Sequence, residues 1–246
     1  MVADEYYIPS RHPTCKNFRT GSLMIIAPWL LPAQSDVACE VGAGKSIVAE
    51  LLLTSGRSLN RLLLTDESAR TLEYSRQFEA AGATLKVSGA DKLPATSSSM
   101  DWLVASLGDP YNSREFWIEV FRVLKPGGTA IFTTPAYEWA TCFRRETESS
   151  SSAVMEAEFE LMDGTRVRLP SFIYSEEDQL SLVVESGLIV REVLHTTIAD
   201  LKGEVLSPKL CLNRGSAGPV VTGFLIKKPS NIDGPVHKTQ LSITGT

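Results

Sequence analysis

Residues 37–46 read VACEVGAGKS, and this stretch decides the fold class. A short apolar run ends at Glu40 and is followed by Gly42 and Gly44. Apolar residues then recur at helical spacing, and Gly56 supplies a C-terminal stop. The pattern predicts a strand, a glycine turn and a helix, and such a turn lets the backbone approach a nucleotide-like ligand closely.

A phosphate-binding P-loop and a dinucleotide-binding turn are two alternatives that the neighbouring residues test. Gly44-Lys45-Ser46 ends like a P-loop, but that loop needs a glycine where Cys39 stands. The dinucleotide-binding turn needs a third glycine where Ile47 stands. An acidic-x-Gly-x-Gly pattern remains, which a glycine turn of another α/β domain would also show.

This acidic-x-Gly-x-Gly pattern resembles motif I of the class I S-adenosylmethionine (SAM) methyltransferases. The resemblance implies that Glu40 orients the site and binds near the methionine part of the cofactor. It also implies that Gly42 and Gly44 let the backbone pass close to the cofactor. Lys45 and Ser46 then begin the first helix, and Ser46 stands where the family often has a third glycine.

Acidic residues after the second predicted strand suit the same cofactor. The apolar run 62–65 is followed by Asp66 and Glu67. A carboxylate about twenty residues past the glycine turn suits the ribose hydroxyls, because it accepts hydrogen bonds from both of them. Asp66 is also a favourable residue for a helix N-cap, and the two roles are compatible.

The third and fourth predicted strands supply the remaining cofactor contacts. Strand 84–88 is followed by Gly89-Ala90-Asp91, which resembles the adenine-binding segment of the family. The resemblance implies that Ala90 and Asp91 contact the adenine, although a plain polar turn would look similar. Ser106, at the end of the fourth predicted strand, is the last cofactor contact that we assign by this resemblance.

Residues 122–128 read RVLKPGG and are followed by the apolar run AIFTTP. We expect a helix to end near Leu124 and Pro126-Gly127-Gly128 to turn the chain into a fifth strand. The segment closely resembles that of the small-molecule methyltransferases related to ubiquinone and menaquinone biosynthesis. The resemblance implies a Rossmann-like class I methyltransferase fold, with a seven-stranded, mostly parallel sheet and helices on both faces.

The chain divides into three predicted parts. Residues 1–35 form an N-terminal extension rich in aromatic and basic side chains, which either covers the pocket or acts as a packing arm. Residues 36–228 form the methyltransferase domain, in which we predict five βα units in alternation up to residue 135. Residues 229–246 form a polar tail.

Residues 136–174 are an insertion after the fifth strand. Alternating apolar residues on both sides of Asp163-Gly164 predict a β-hairpin. We expect it to cap the substrate, because pockets in open sheets lie beyond the carboxyl ends of the strands. A dimer contact, which would make the protein a homodimer, and a plain surface hairpin are the alternatives.

Catalytic residues do not follow from the cofactor motif, because methyl transfer needs a base only when the acceptor must lose a proton. The candidates are Tyr137 and Glu138 after the fifth strand, His195 in a later strand, and His12 in the extension. Each has a structural alternative: a lone histidine in a strand is commonly structural, and Tyr137 and Glu138 are also compatible with a packed aromatic residue and a solvated surface.

Asp109-Pro110-Tyr111 follows the fourth predicted strand. Enzymes that methylate amino groups of nucleic acids carry an Asp/Asn-Pro-Pro-Tyr/Phe motif at this place. One proline of that motif is missing here, so we interpret the segment as a loop before the next helix.

Composition limits the function classes. The net charge is −5, which argues against a bulk nucleic-acid binder. The four cysteines are scattered without C-x-x-C spacing, so we predict neither a metal site nor a disulfide framework, and we expect Cys39 in the core. The apolar run 23–31 contains Pro28 and is too short to span a membrane, and the N-terminus lacks a signal peptide pattern. We therefore expect a cytoplasmic protein.

The sequence favours a methyltransferase that uses SAM to methylate an oxygen, nitrogen or carbon atom of a small molecule. The alternatives are an RNA or protein methyltransferase, an aminopropyl-transferring relative, and a catalytically silent SAM-fold partner protein. An aminopropyl transferase needs an acidic cluster for its polyamine, which the sequence does not indicate. Retention of Glu40, Asp66 and Asp91 argues against the silent protein.

Overall fold

The computed structural model describes residues 5–31, 37–146, 155–211 and 218–230. The predicted polar tail beyond residue 230 lies outside them. In chain order, the elements are α1 (Pro13–Leu30), β1 (Ala38–Val41), α2 (Ile47–Thr54), β2 (Leu62–Asp66), α3 (Ala69–Leu72), β3 (Thr84–Val87), β4 (Met100–Ala105), α4 (Arg114–Val123), β5 (Leu124–Pro135), α5 (Tyr137–Phe143), β6 (Arg145–Glu146), β7 (Met155–Glu160), β8 (Arg166–Ser171), α6 (Glu176–Glu185), β9 (Ile189–Thr197), α7 (Pro208–Cys211) and β10 (Pro219–Lys227).

Seven strands form one sheet in the order β3-β2-β1-β4-β5-β10-β9. The pairs from β3 to β5 are parallel, whereas β10 runs antiparallel to both β5 and β9. The predicted Rossmann-like class I methyltransferase fold is therefore confirmed. Strand order reverses between β1 and β4, and ligands of open α/β sheets bind at such a switch point.

The first helix after the glycine turn, α2, begins and ends where the sequence predicts. Ser46 is its N-cap, and the Ser46 Oγ accepts a hydrogen bond from the Ala49 N–H at 2.8 Å. Gly56 follows the helix with a φ of +73°, a conformation that glycine adopts at little cost. The predicted core position of Cys39 is also confirmed, because this side chain is fully buried in β1.

Two local predictions need correction. No helix separates β3 from β4, so the predicted alternation of five βα units is wrong at residues 88–99. That stretch contains Gly89 and Pro94, which disfavour a helix. The second correction concerns β5, which begins at Leu124 rather than after the glycines. Its pairing with β4 jumps from Leu124 to Thr129, so Pro126-Gly127-Gly128 is an irregularity within the strand.

Helix α1 packs against the sheet and belongs to the core. Its buried apolar side chains include Phe18, Ile25 and Ile26. A Cβ at Gly223 of β10 would come within 2.4 Å of Ile25, so the close packing of α1 on β10 requires glycine there. No helix in the described part of the chain has the length and apolar character needed to cross a bilayer.

The insertion forms a second sheet of three strands in the order β6-β7-β8. The predicted hairpin between β7 and β8 is confirmed, with Phe159 opposite Val167. Two hydrogen bonds anchor β8 and the residue after it to the loop following β4: the Ser171 hydroxyl donates to the Asp109 Oδ2 at 2.6 Å, and the Phe172 N–H donates to the Asp109 carbonyl at 2.8 Å. The insertion is therefore held above the carboxyl ends of β4 and β5.

Candidate active site

The glycine turn after β1 has the backbone conformation that the sequence predicts. Gly42 and Gly44 have φ values of +62° and +44°. The Tyr111 hydroxyl donates to the Val41 carbonyl at 2.7 Å, and a Cβ at Gly42 would come within 2.7 Å of the Tyr111 ring. Both the left-handed backbone and the close aromatic neighbour therefore require glycine at position 42.

Glu40 lies beneath the turn and not in the open space above it. Its side chain is buried and accepts a hydrogen bond from the Ser46 hydroxyl. Burial raises the pKa of the Glu40 carboxyl to about 7, and the hydrogen bond from Ser46 opposes that shift. The geometry fits the predicted orienting role, since this carboxyl ties the end of β1 to the start of α2.

Asp66 joins the end of β2 to the glycine turn. One carboxylate oxygen accepts from the Gly44 N–H at 3.1 Å, and the other accepts from the Ser68 N–H at 2.9 Å. Burial raises the pKa of this carboxyl, against the lowering effect of the two N–H groups. Each oxygen keeps a second lone pair for a ligand hydroxyl.

A central cavity of about 500 Å³ lies over the carboxyl ends of β1 to β5. Five predicted cofactor residues line it: Gly42, Asp66, Glu67, Ala90 and Ser106. The other three, Glu40, Gly44 and Asp91, lie next to the lining residues but do not line the cavity themselves. Asp91 is exposed, and its carboxylate lies over Gly89. These five residues lie on one side of the cavity, which we call the cofactor side after the contacts that the sequence predicts for them.

The N-terminal segment lies against the cofactor side. Tyr6 and Tyr7 line the cavity, and the Tyr7 ring packs edge-on against Tyr74 with 4.9 Å between centroids. The Arg19 guanidinium lies 5.2 Å from the centroid of the Tyr7 ring and donates to the Lys45 carbonyl at 2.8 Å. Residues of the extension therefore contact the glycine turn directly.

The same segment also contacts the hairpin. The Glu5 carboxylate accepts from the Met162 N–H at 2.9 Å, and the Tyr6 and Phe159 rings lie 6.0 Å apart. The hairpin itself lines the cavity with Ala157, Phe159, Leu169 and Pro170. The extension and the insertion thus meet over one cavity.

The side of the cavity near β4 and β5 carries one acidic and one basic side chain, Asp109 and Arg144, and we call it the acceptor side. Asp109 is buried, which raises the pKa of its carboxyl, whereas the charge of Arg144 lowers it. Cys15 lines the cavity as well, and burial raises the pKa of its thiol to about 11, so the thiol is neutral at physiological pH.

The four catalytic candidates from the sequence do not line this cavity. Glu138 is exposed on α5, next to the half-buried Tyr137. His195 lies on β9 at the sheet edge, 3.2 Å from the Thr222 hydroxyl and 3.6 Å from Glu176. His12 lies closer, with its ring 5.5 Å from that of Phe159, and burial and Arg11 lower its pKa. Their catalytic roles stay predictions.

The sequence did not indicate Arg144 as a site residue, and it assigned Asp109 no functional role. Arg144 follows α5 at the start of the insertion, and no motif marks it. The sequence predicts a loop at Asp109, and the structure places this residue in a short 3-10 turn, where its backbone carbonyl and its carboxylate hold the end of β8. An acidic residue directly after a central strand of an α/β sheet was the available sequence signal.

Part of the chain is similar to a known family and to a curated protein. The family model described as "Methyltransferase domain" matches residues 39–132, which include the glycine turn and all eight predicted cofactor residues. A curated relative, the biotin biosynthesis bifunctional protein BioHC of Cellvibrio japonicus (strain Ueda107), is 32% identical over 108 residues. The match covers 42% of this chain and 21% of that protein, so the chain spans about a fifth of the relative's length.

Solved structures share the fold. A SAM-dependent methyltransferase from Methanosarcina mazei has a TM-score of 0.61 at 17% identity and covers 84% of this chain and 97% of its own. One from Mesorhizobium loti has a TM-score of 0.57 at 20% identity, with 83% and 99% covered. The CcbJ methyltransferase from Streptomyces caelestis has a TM-score of 0.59 at 14% identity, with 94% and 97% covered. At these identities the likeness shows the fold alone.

Proposed function

We propose that this chain, which is a class I SAM-dependent methyltransferase, methylates an oxygen, nitrogen or carbon atom of a small molecule held in the central cavity. One observation carries the proposal: a single cavity extends from the cofactor side to an acceptor side that the N-terminal segment and the hairpin both cover. Its volume of about 500 Å³ lies within the usual range of small-molecule sites.

The residues of the cofactor side fit SAM. The Asp66 carboxylate suits the ribose hydroxyls. Each of its oxygens accepts a hydrogen bond from one backbone N–H, that of Gly44 or Ser68, and keeps a lone pair that can accept a second one from a hydroxyl. Gly42 lines the cavity, and its positive φ lets the backbone of the turn pass close to the cofactor. In this proposal Glu67, Ala90, Asp91 and Ser106 complete the contacts, and Glu40 with Gly44 positions the turn.

Chemically, SAM supplies an electrophilic methyl carbon: the acceptor's lone pair forms the new bond while the carbon–sulfur bond breaks and its electron pair stays on sulfur. The protein mainly aligns the acceptor and excludes water. Where the acceptor nucleophile carries a proton, Asp109 accepts it. This carboxyl lines the acceptor side, and its raised pKa brings it closer to the range in which a base is effective.

The extension (residues 1–35) and the insertion (136–174) cover the pocket in this proposal. The contacts of Glu5 with Met162 and of Tyr6 with Phe159 support it, because they join the two segments above the cavity. A lid leaves little room for a polymeric acceptor, which favours a small molecule over RNA or protein. The name of the BioHC relative, which refers to biotin biosynthesis, favours the same class. Light scattering tests the alternative in which the insertion is a dimer contact.

The test is a labelling experiment with SAM that carries a radioactive methyl group. The purified full chain is incubated separately with a small-molecule extract, with total RNA and with total protein. We expect label in the small-molecule fraction only. Label found only in RNA or only in protein would show that the acceptor is a macromolecule and not a small molecule. If calorimetry shows SAM binding but no fraction carries label, the result would favour a catalytically silent partner protein. Asp66→Ala serves as the variant with weakened cofactor binding.

A further inference from the structure

Arg144 places a positive charge in the acceptor side. It follows the last residue of α5 and lines the cavity. Its guanidinium lies 5.1 Å from the centroid of the Trp139 ring, which supports it from one face. Within residues 5–31, 37–146, 155–211 and 218–230, no hydrogen bond or ion pair joins the guanidinium to another residue.

Two N–H donors of this stacked pair have no acceptor. The Arg144 Nε is buried and has no hydrogen-bond partner among the described residues. The same holds for the Trp139 Nε1, whose side chain is 1% exposed. Buried donors almost always have an acceptor, because a donor without one costs about 1–3 kcal/mol. Arg144, unlike Trp139, also lines the cavity, so its guanidinium fits a ligand group that only accepts hydrogen bonds.

Among the described residues, no neighbour of Arg144 forms an ion pair that would neutralise its charge. The Arg144 charge acts on Asp109, but the Asp109 carboxylate accepts from the Ser171 hydroxyl at 2.6 Å and makes no ion pair with Arg144. The second basic residue of the cavity, Arg19, is engaged by the Lys45 carbonyl and the Tyr7 ring. The cavity lining also includes the apolar residues Leu107, Pro135, Ala157, Leu169 and Pro170.

We propose that the methyl acceptor carries a carboxylate and that Arg144 binds it. A guanidinium binds a carboxylate through two parallel N–H···O bonds, and such a bond is strong in an apolar cavity. A carboxylate suits this site better than a phosphate, because Asp109 lies on the same side and a doubly charged anion would be repelled more strongly. This inference rests on the proposed function, since it names the chemical class of that same acceptor.

The first step of the test identifies the acceptor. The small-molecule extract is incubated with the full chain and methyl-labelled SAM, and the labelled product is purified and characterised by mass spectrometry. We expect the parent compound to contain a carboxylate. A labelled compound with a phosphate or with no anionic group would overturn the inference and leave the proposed function standing. No labelled small molecule at all would overturn both.

The second step compares the identified acid with its carboxamide analogue. Dissociation constants are measured by calorimetry with S-adenosylhomocysteine present, so that the comparison holds even if the carboxylate is itself methylated. We expect the wild-type protein to prefer the acid, and Arg144→Gln to weaken acid binding by about 30-fold or more while carboxamide binding changes little. Equal weakening of both ligands, or none, would overturn the inference.

Three controls separate recognition from folding. Arg144→Lys keeps the positive charge but lacks the planar guanidinium. We therefore expect its affinity for the acid to lie between the affinities of the wild type and of Arg144→Gln. Arg166→Gln removes an exposed arginine of β8, and we expect wild-type binding of both ligands. SAM affinity and melting temperature report on the fold. If Arg144→Gln does not fold, the inference is judged by the affinity of Arg144→Lys for the acid and by the preference of the wild-type protein for the acid over the carboxamide.

Discussion

The Tyr7 hydroxyl accepts a hydrogen bond from the Lys45 N–H at an N···O distance of 3.0 Å. This bond joins the N-terminal segment to the glycine turn, although 38 residues separate the two in sequence. A Cβ at Gly44 would overlap the Tyr7 hydroxyl, so the turn and the phenol fit closely. The extension therefore contacts the cofactor motif itself and not merely the outside of the domain.

We expect the loss of the Tyr7 ring to speed cofactor release. Tyr7→Ala removes the hydrogen bond and the contacts with Tyr74 and Arg19, so SAM should dissociate about tenfold faster or more. Tyr7→Phe removes only the hydroxyl and should change the rate by less than about fivefold. Stopped-flow measurement of SAM release tests both variants. Wild-type rates in Tyr7→Ala would show that this segment does not retain the cofactor.

Asp66→Ala is expected to weaken SAM binding by about 1–3 kcal/mol, the cost of a charge-assisted hydrogen bond. The carboxylate also accepts from the Gly44 and Ser68 N–H groups, so the turn loses support as well. Calorimetric titration with SAM measures the change. Glu185→Ala, which alters an exposed acid on α6, is the matched control. Unchanged affinity in Asp66→Ala would refute the ribose assignment.

Glu40 should make the stability of the folded protein depend on pH. Its pKa rises from 4.5 to about 7 on folding, so the folded state binds the proton more tightly than the unfolded state. The stabilisation is thus fully present below pH 4.5 and is lost as the pH rises towards 7. At 1.36 kcal/mol per pKa unit, the loss amounts to about 3 kcal/mol.

The Glu40→Gln variant isolates this effect, because the amide stays neutral at every pH. Relative to wild type, we expect its free energy of unfolding to increase between pH 4.5 and about 7 and to level off above that range. Urea denaturation without SAM at several pH values measures the difference. A difference that does not change with pH would argue against a buried, proton-binding Glu40; Glu185→Gln provides the exposed reference.

Asp109→Asn should slow methyl transfer without weakening SAM binding, if the acceptor must lose a proton. We expect kcat to fall by about 100-fold, a typical effect for a general base. Wild-type activity should be lost as the pH falls through the pKa of Asp109, which burial raises above its ordinary value although Arg144 partly opposes the rise. The acidic limb of the pH profile should disappear in the variant. An unchanged limb would assign the base to another group.

The cofactor side was largely predictable because its determinants are local in sequence. Gly42 and Gly44 are needed for backbone conformation, and Ser46 caps the helix that follows at once. Asp66 comes next to the turn because parallel neighbouring strands end at the same edge of the sheet. A glycine turn and a strand-end acid are therefore visible without tertiary contacts.

The acceptor side could not be predicted, because its residues come together only through contacts between distant segments. Asp109 and Ser171 are 62 residues apart, and their hydrogen bond fixes the insertion over β4. The Arg144 guanidinium lies over the Trp139 ring, a contact that no sequence motif marks. Conversely, His195 and Glu138 were plausible by residue type, but the fold places them outside the cavity lining.

The sequence by itself determined the fold and the cofactor class, since strand, turn and helix at residues 37–56 are encoded by periodicity and backbone preference. The tertiary structure alone decided that the N-terminal segment and the hairpin meet over one cavity, and that the buried Asp109 carboxyl and the Arg144 guanidinium both line it. Burial is the physical reason. It changes the pKa of a carboxyl and leaves a donor without water, and it depends on which distant segments pack together.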